Sequence, residues 1–167
     1  MADAVVGAFD SNDVMAYILL KASEDNFFVN ITKLQKLLYC CYGVVLAAFG
    51  WRLTAEHPAA WQYGPVFPRT FNGIKKGRIQ AGKDNGFSVN CPPEALKLID
   101  QTIRFFGKYN ASQLSAWSHQ SNSPWAVATK DGTVLPAPMD DFQIAQFFKK
   151  NVLKQDAGKE DRIAESV

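Results

Sequence analysis

Apolar residues recur at helical spacing along most of this chain. Over residues 12–23, Val14, Tyr17, Ile18, Leu19 and Ala22 form one stripe. Ser11 or Asn12 stands where a cap belongs, and Asp13 suits the positive end of a first turn. "EDN" closes the segment, and "FFVN" leads into a second helix over about 32–49. There Leu34, Leu37, Leu38, Cys41, Val45 and Ala48 share a face, while Tyr39, Tyr42, Val44 and Leu46 cover much of the remainder. A helix apolar nearly all round is buried inside its domain. Gly50 follows at the position of a C-terminal glycine cap.

The pattern then changes. "RLT" and "AAWQY" read as short extended segments of a small hairpin-like piece. Within "WQYGPVFP", Gly-Pro punctuation, which normally marks a polar loop, is flanked by aromatic and aliphatic residues. Gly64 permits unusual backbone angles and Pro65 holds φ near about −65°. The stretch therefore predicts a hard corner between an extended arm and a helix opened by Pro68 at its first position. Trp61, Tyr63 and Phe67 would anchor both arms on the central helix, and Gly64→Val is expected to destabilise the fold. Phe67, Phe71 and Ile74 align along the third helix, and Gly77 stops it. Residues 78–90 read as an exposed loop.

Prolines and Glu94 then open a helix with Leu96, Ile99, Ile103 and Phe106 as its buried stripe, ended by Gly107. "ASQLSAWSH" predicts a short helix capped near Asn110 or Ser112. "SNSPWAVAT" reads as a turn feeding an apolar patch, and "DGTVLP" as a turn with a short extended segment. "MDDFQIAQFFKKNVLK" predicts a final helix with acids first and lysines last, matching the macrodipole. The sum is a mainly α, compact multi-helix single domain around a central buried helix at about 32–49. A small β or extended piece lies near 52–66. The expected domain is 1–154, followed by a polar, disordered tail over 155–167.

At 167 residues the chain suits one domain with a real core. Aromatics make up 13% of it, twelve of them Phe, so the core should be aromatic-rich. A net charge of +2 argues against the broad basic footprint of a nucleic-acid binder. "MADAVVGAFD" does not read as a secretory signal. The apolar run over 37–51 is shorter than the roughly 20 residues of a membrane span, so a buried core helix is expected. Cys40, Cys41 and Cys91 have no framework spacing and read as reduced thiols of a cytoplasmic protein. The sequons "NIT" and "NAS" are chance matches on that reading.

Candidate chemistry is sparse. His57 precedes a proline and has no second ligand near it in sequence. His119 has no partner one turn away and is expected to be a hydrogen-bonded imidazole near a helix end. Cys40 and Cys41 lie mid-helix, where burial raises a thiol's pKa, and Cys91 at a helix start reads as a packed thiol. Asp140 and Asp141 suit a helix start. No glycine-rich phosphate loop or nucleophile elbow appears, so no catalytic, metal or cofactor site is expected and the chain is not read as an enzyme. The one local charge bias is Arg69, Lys75, Lys76, Arg78 and Lys83. It reads as a solvated face, with contact to an acidic protein as the alternative.

Three blocks carry a resemblance. "ITKLQKLLYCCYGVVLAAFG", "AAWQYGPVFPRTFNGIKKG" and "ASQLSAWSHQSNSPWAVA" occur in an order and spacing similar to the Panacea domain family of SocA-like and GepA-like phage-associated proteins. The matching residues are Lys36, Tyr39, Trp61, Tyr63, Gly64, Pro65, His119, Pro124 and Trp125. The resemblance implies a protein-binding module: an antitoxin that neutralises a cognate protein toxin directly. One branch of the family is instead an adaptor delivering its toxin to the ClpXP protease, and a transcriptional autoregulator is a further alternative. From the residues themselves no cofactor and no membrane are expected, and nucleic acid is an unfavoured partner. Tyr63, Arg69, Lys75, Lys76, Arg78, Trp117 and Trp125 are the candidate toxin contacts, because Trp, Tyr and Arg are the usual interface anchors. On this logic the motif residues hold the fold and the unmatched loop over 78–90 can touch the partner. A contiguous exposed aromatic patch is expected on the monomer.

Overall fold

The computed structural model describes residues 7–154 and 162–163. These residues form a mainly helical domain, with helices α1 (Ser11–Glu24), α2 (Ile31–Phe49), α3 (Pro68–Lys75), α4 (Phe87–Asn90), α5 (Pro93–Gly107), α6 (Ala111–Ser118), α7 (Pro124–Thr129) and α8 (Asp141–Asn151). Strands β1 (Ala59–Trp61), β2 (Gly64–Val66) and β3 (Ala137–Pro138) make one small antiparallel sheet in the order β2-β1-β3. Strands β4 (Leu153–Lys154) and β5 (Arg162–Ile163) pair separately.

Helix α2 is the centre. It packs against α1, α5, α6, α8 and β2. Its continuous run from Lys33 to Val45 is buried. By length and composition α2 could cross a bilayer, but 78% of its apolar window lies inside the domain. Asn30 caps it by accepting the Lys33 N–H at 2.9 Å. Gly50 ends it at φ 80, donating its N–H to Leu46.

The core around α2 is mostly aliphatic, with an aromatic cluster set into it. Trp117 sits 5.1 Å from Phe106, 5.6 Å from Phe147 and 5.9 Å from Phe148, ring to ring. Tyr39 meets Phe148 edge-on at 5.3 Å. Such edge contacts add to simple area burial. A buried-side tether joins α1 to α5, where Tyr17 donates its hydroxyl to Asp100 at 2.6 Å.

Several local expectations need correction. The α1 cap is Asp10, which accepts the Asn12 N–H; Ser11 is buried and donates its hydroxyl to Glu56. "RLT" is not a strand: Thr54 makes one isolated bridge to Phe9. The Gly64–Pro65 pair does not form the corner. Trp61 pairs with Gly64 across a two-residue turn, Gln62 and Tyr63, so Gly64 and Pro65 lie inside β2. Proline is tolerated there because β2 is an edge strand. "SNSPWAVAT" does begin with a turn, at Ser121 and Asn122, but the apolar patch it feeds is helix α7, with Ser123 accepting the Ala126 N–H and Pro124 in the first turn. On α5 the stripe is rotated: Ala95, Leu98 and Thr102 are buried with Ile99, Ile103 and Phe106, while Leu96 is half-buried.

The loop over 78–90 is not simply solvated. It contains α4, whose Phe87 is buried against Phe9 and Tyr17 at 4.9 and 5.6 Å. Gly82 and Asn85 hydrogen-bond to α1 at Ala16 and Asp13. The expected polar tail lies outside the described residues except for Arg162 and Ile163, which pair with Lys154 and Leu153 as β5.

Gly43 shows how tightly α2 meets α8. A Cβ built there would stand 2.2 Å from the Phe148 ring. Replacing a helical glycine with alanine ordinarily stabilises a helix by about 1 kcal/mol. Overpacking costs about 1–3 kcal/mol and wins here because the ring is held on several sides. Gly43→Ala therefore lowers the urea midpoint, and Phe148→Leu in the same chain recovers part of the loss. A raised midpoint for Gly43→Ala would refute this packing account.

Candidate functional site

Three of the polar residues on α2 are buried: Lys33, Gln35 and Lys36. A buried polar group is costly unless it is hydrogen-bonded. Lys33 donates to the Gly107 carbonyl at 2.6 Å and lies over the Phe27 ring. Gln35 accepts the Phe67 N–H at 2.7 Å and donates to Thr70 Oγ1 at 2.8 Å, which fixes the entry to α3. Lys36 Nζ donates to the Pro65 carbonyl at 3.0 Å.

That last bond belongs to a set. Alternate carbonyls along the hairpin, those of Trp61, Tyr63 and Pro65, accept from three different helices. Trp125 Nε1 on α7 donates to Trp61 at 2.8 Å. Ser115 Oγ on α6 donates to Tyr63 at 2.8 Å. Lys36 on α2 supplies the third. The hairpin backbone is thus the junction of α2, α6 and α7.

Gly64 makes the junction sterically feasible. Its φ is +118, and a Cβ there would stand 2.4 Å from Lys36 Cε and 2.8 Å from Ser118 Oγ. The glycine serves the lysine rather than a sharp turn. His119, the C-cap of α6, stacks on Trp125 at 3.7 Å with planes 22° apart. Its buried Nε2 has no hydrogen-bond partner among the described residues. The expected hydrogen-bonded imidazole is therefore at a helix end, but stacking holds it instead.

The electrostatics follow from burial. Desolvation pushes the Lys36 ammonium down to about 8, and no carboxylate among the described residues offsets it. Burial first, and the Lys36 charge second, hold His119 below the usual histidine range. Burial raises the thiols of Cys40 and Cys41 and pushes Cys91 up to about 11, so none is poised as a nucleophile. Asp141 accepts from the Tyr42 hydroxyl at 2.6 Å and Arg52 Nε at 2.8 Å, with His57 Nδ1 at 3.6 Å. Sequence spacing alone did not place those groups together. Among the described residues no three of His, Cys, Asp and Glu gather as a metal site.

Most of the nine matching residues converge here. Lys36, Trp61, Tyr63, Gly64, Pro65, His119 and Trp125 take part in the junction, and Pro124 opens the helix that carries Trp125. Tyr39 lies apart, against Phe148. The contact candidates divide. Trp117 and Trp125 are each only 7% exposed, so both are core and unavailable to a rigidly docking partner. Arg69 is exposed but paired with Asp10 at 2.7 Å. Lys75 lies over Phe71, while Lys76 and Arg78 are exposed at the end of α3 and beyond it. The Tyr63 side chain is 64% exposed and lines a hollow of about 340 Å³ with Thr32, Ala111, Ser112 and Ser115.

Comparison with known proteins now bears on this junction. The family model described as "Antitoxin SocA-like, Panacea domain" matches residues 34–126, a span containing all nine motif residues. The chain belongs to this family. It is also 32% identical over 139 residues to Antitoxin SocA of Caulobacter vibrioides (strain NA1000 / CB15N), covering 75% of this chain and 74% of that relative. No solved structure matches the chain.

Within the family span, sequence reasoning missed Gln35, Ser115, Ser118 and Ser123. A polar residue beside Lys36 on an apolar helix was the available signal for Gln35. The serines gave none, because serine is common on exposed turns as well.

Two variants test the junction. Gly64→Val forces bulk into the Lys36 and Ser118 side chains at a positive φ, and should cost on the order of 1–3 kcal/mol or more. An unchanged thermal midpoint would sink it. Lys36→Met tests the buried charge. The folded pKa of Lys36, about 8, lies below its ordinary value of 10.5. The unfolded chain therefore binds more protons between those values, and this group's contribution to stability rises with pH across that window. Buried thiols oppose it there, since unfolded cysteines ionise first. The wild-type minus Lys36→Met difference isolates the lysine and should rise by about 3 kcal/mol from pH 8 to 10.5. A flat difference would contradict the assignment.

Proposed function

We propose that this protein is the antitoxin of a toxin–antitoxin pair and that it neutralises its cognate protein toxin by direct binding. The observation carrying this reading is the 32% identity to Antitoxin SocA over about three quarters of both chains. The geometry supports it in a second way. The motif residues are used to tie α2, α6 and α7 to one hairpin, which leaves the outer surface free to recognise a partner. In this reading the binding domain occupies 1–154 and the chain does no chemistry of its own. Its raised thiols and the neutral, stacked His119 are consistent with that. Tyr63, Arg69, Lys75, Lys76 and Arg78 remain available as contacts, whereas Trp117 and Trp125 support the scaffold. Binding acts in the cytoplasm on a protein, not on nucleic acid.

The test is co-expression with each neighbouring open reading frame. One neighbour should arrest growth alone, and this chain should restore growth and co-purify with it. If no neighbour is toxic, or none is rescued, the antitoxin reading fails. If rescue occurs through a shortened toxin half-life that disappears without the ClpXP protease, the protein is an adaptor rather than a neutralising binder.

A further inference from the structure

The hollow beside Tyr63 does not stand alone. A second hollow of about 280 Å³ adjoins it, and Ala111 lines both. Phe27, Phe28, Lys33 and Lys108 line the second. Together the two hollows make a groove from Tyr63 to Phe28, across the N-terminal ends of α2 and α6. Phe28 is 78% exposed and Tyr63 64%. The other strongly exposed ring among the described residues, Phe142, stands on α8 and does not line the groove. The groove therefore concentrates exposed aromatic surface, as an interaction site does.

Its charge is one-sided. No acidic residue lines it, while Lys33 and Lys108 do. Lys33 is buried with its charge held over Phe27 and on the Gly107 carbonyl. Lys108 is exposed, with its ammonium 4.4 Å over the Phe105 ring. The first turns of α2 and α6 contain no acidic residue, whereas those of α1, α5 and α8 do. The positive ends of two helix dipoles meet the C-terminal end of α5 here, whose Gly107 carbonyl takes the Lys33 ammonium, so Lys108 is the exposed charge of the groove. The basic strip at α3 is a weaker candidate, because Arg69 is already matched by Asp10.

An apolar trough with aromatic walls, one exposed lysine and no acidic residue in its lining fits a carboxylate carried beside an apolar side chain. We propose that this groove docks an acidic, apolar-containing segment of the partner protein. The identity of that partner as a toxin rests on the antitoxin reading; the chemistry of the segment does not. Phe28 and Tyr63 supply the apolar contact, and Lys108 supplies the charge that selects acidic sequences.

A phage-displayed random dodecapeptide library, selected on the whole protein, tests the groove without a known toxin. Enriched peptides should be net acidic and contain aromatic or aliphatic residues. Their fluorescence-anisotropy affinities should fall about tenfold or more with Phe28→Ala, with Tyr63→Ala and with Lys108→Glu. Phe142→Ala should bind as wild type, the three alanine variants should keep the wild-type melting temperature, and Lys108→Glu should stay folded with a small loss because Lys108 caps α5. Enrichment of basic peptides, no enrichment, or equal binding by the groove variants would overturn the proposal. So would a wild-type dimer in sedimentation that Phe28→Ala dissociates, since the groove would then be a contact between two copies. Groove variants that rescue growth as well as wild type would also overturn it while leaving the antitoxin reading intact. Selected acidic peptides with no rescuing neighbour would support the groove and count against that reading.

Discussion

The central constraint is one buried ammonium. Lys36 is 1% exposed and its hydrogen-bond acceptor is the Pro65 carbonyl. A charge in that position is stabilised far less than it would be in water, and its lowered pKa expresses the difference. Losing the carbonyl would leave the ammonium buried without an acceptor. The hairpin must therefore present Pro65 to α2 at one register, and Gly64 must leave space for the lysine stem. A shift by one residue would turn the alternating carbonyls away from Trp125, Ser115 and Lys36 together.

This arrangement separates scaffold from recognition. The hairpin is only three residues per strand and could not hold itself together. Helices α2, α6 and α7 hold it through its backbone, so the residues between them have little freedom to change. The aromatic cluster of Phe106, Trp117, Phe147 and Phe148 meets α2 at Tyr39 and Gly43, on the same helix face as Lys36. Surface positions such as Phe28, Tyr63 and Lys108 carry none of these internal ties through their side-chain tips, apart from the ring contacts of Lys108. A domain built this way can vary its outer surface while its centre stays fixed.

The long helices were legible because their apolar positions recur at a helical period and their ends carry caps. Helix α2 was readable as the centre from its all-round apolar surface, and Gly50 from its position. The hairpin was harder. "WQYGPV" has a proline in β2 and no Asn-Gly or Asp-Gly turn, so its punctuation pointed to a corner one step beyond the actual turn at Gln62 and Tyr63. Helix α7 is six residues long, too short for its apolar period to stand out. The exposure of Trp117 and Trp125 could not be read at all. A tryptophan on a short helix serves equally well as an interface anchor or as core, and only its neighbours decide.

The sequence by itself determined the helical class, the central helix, the shared motif blocks and, through them, the family. Those depend on local periodicity and on the order of residues along the chain. Tertiary structure decided what the motif residues do. Lys36 and Pro65 are 29 positions apart, and Trp61 and Trp125 are 64 apart. No local pattern joins such pairs, because their meeting depends on how three helices pack around one hairpin. The same packing turned two predicted contact tryptophans inward and left Phe28, which no motif singled out, at the edge of a groove.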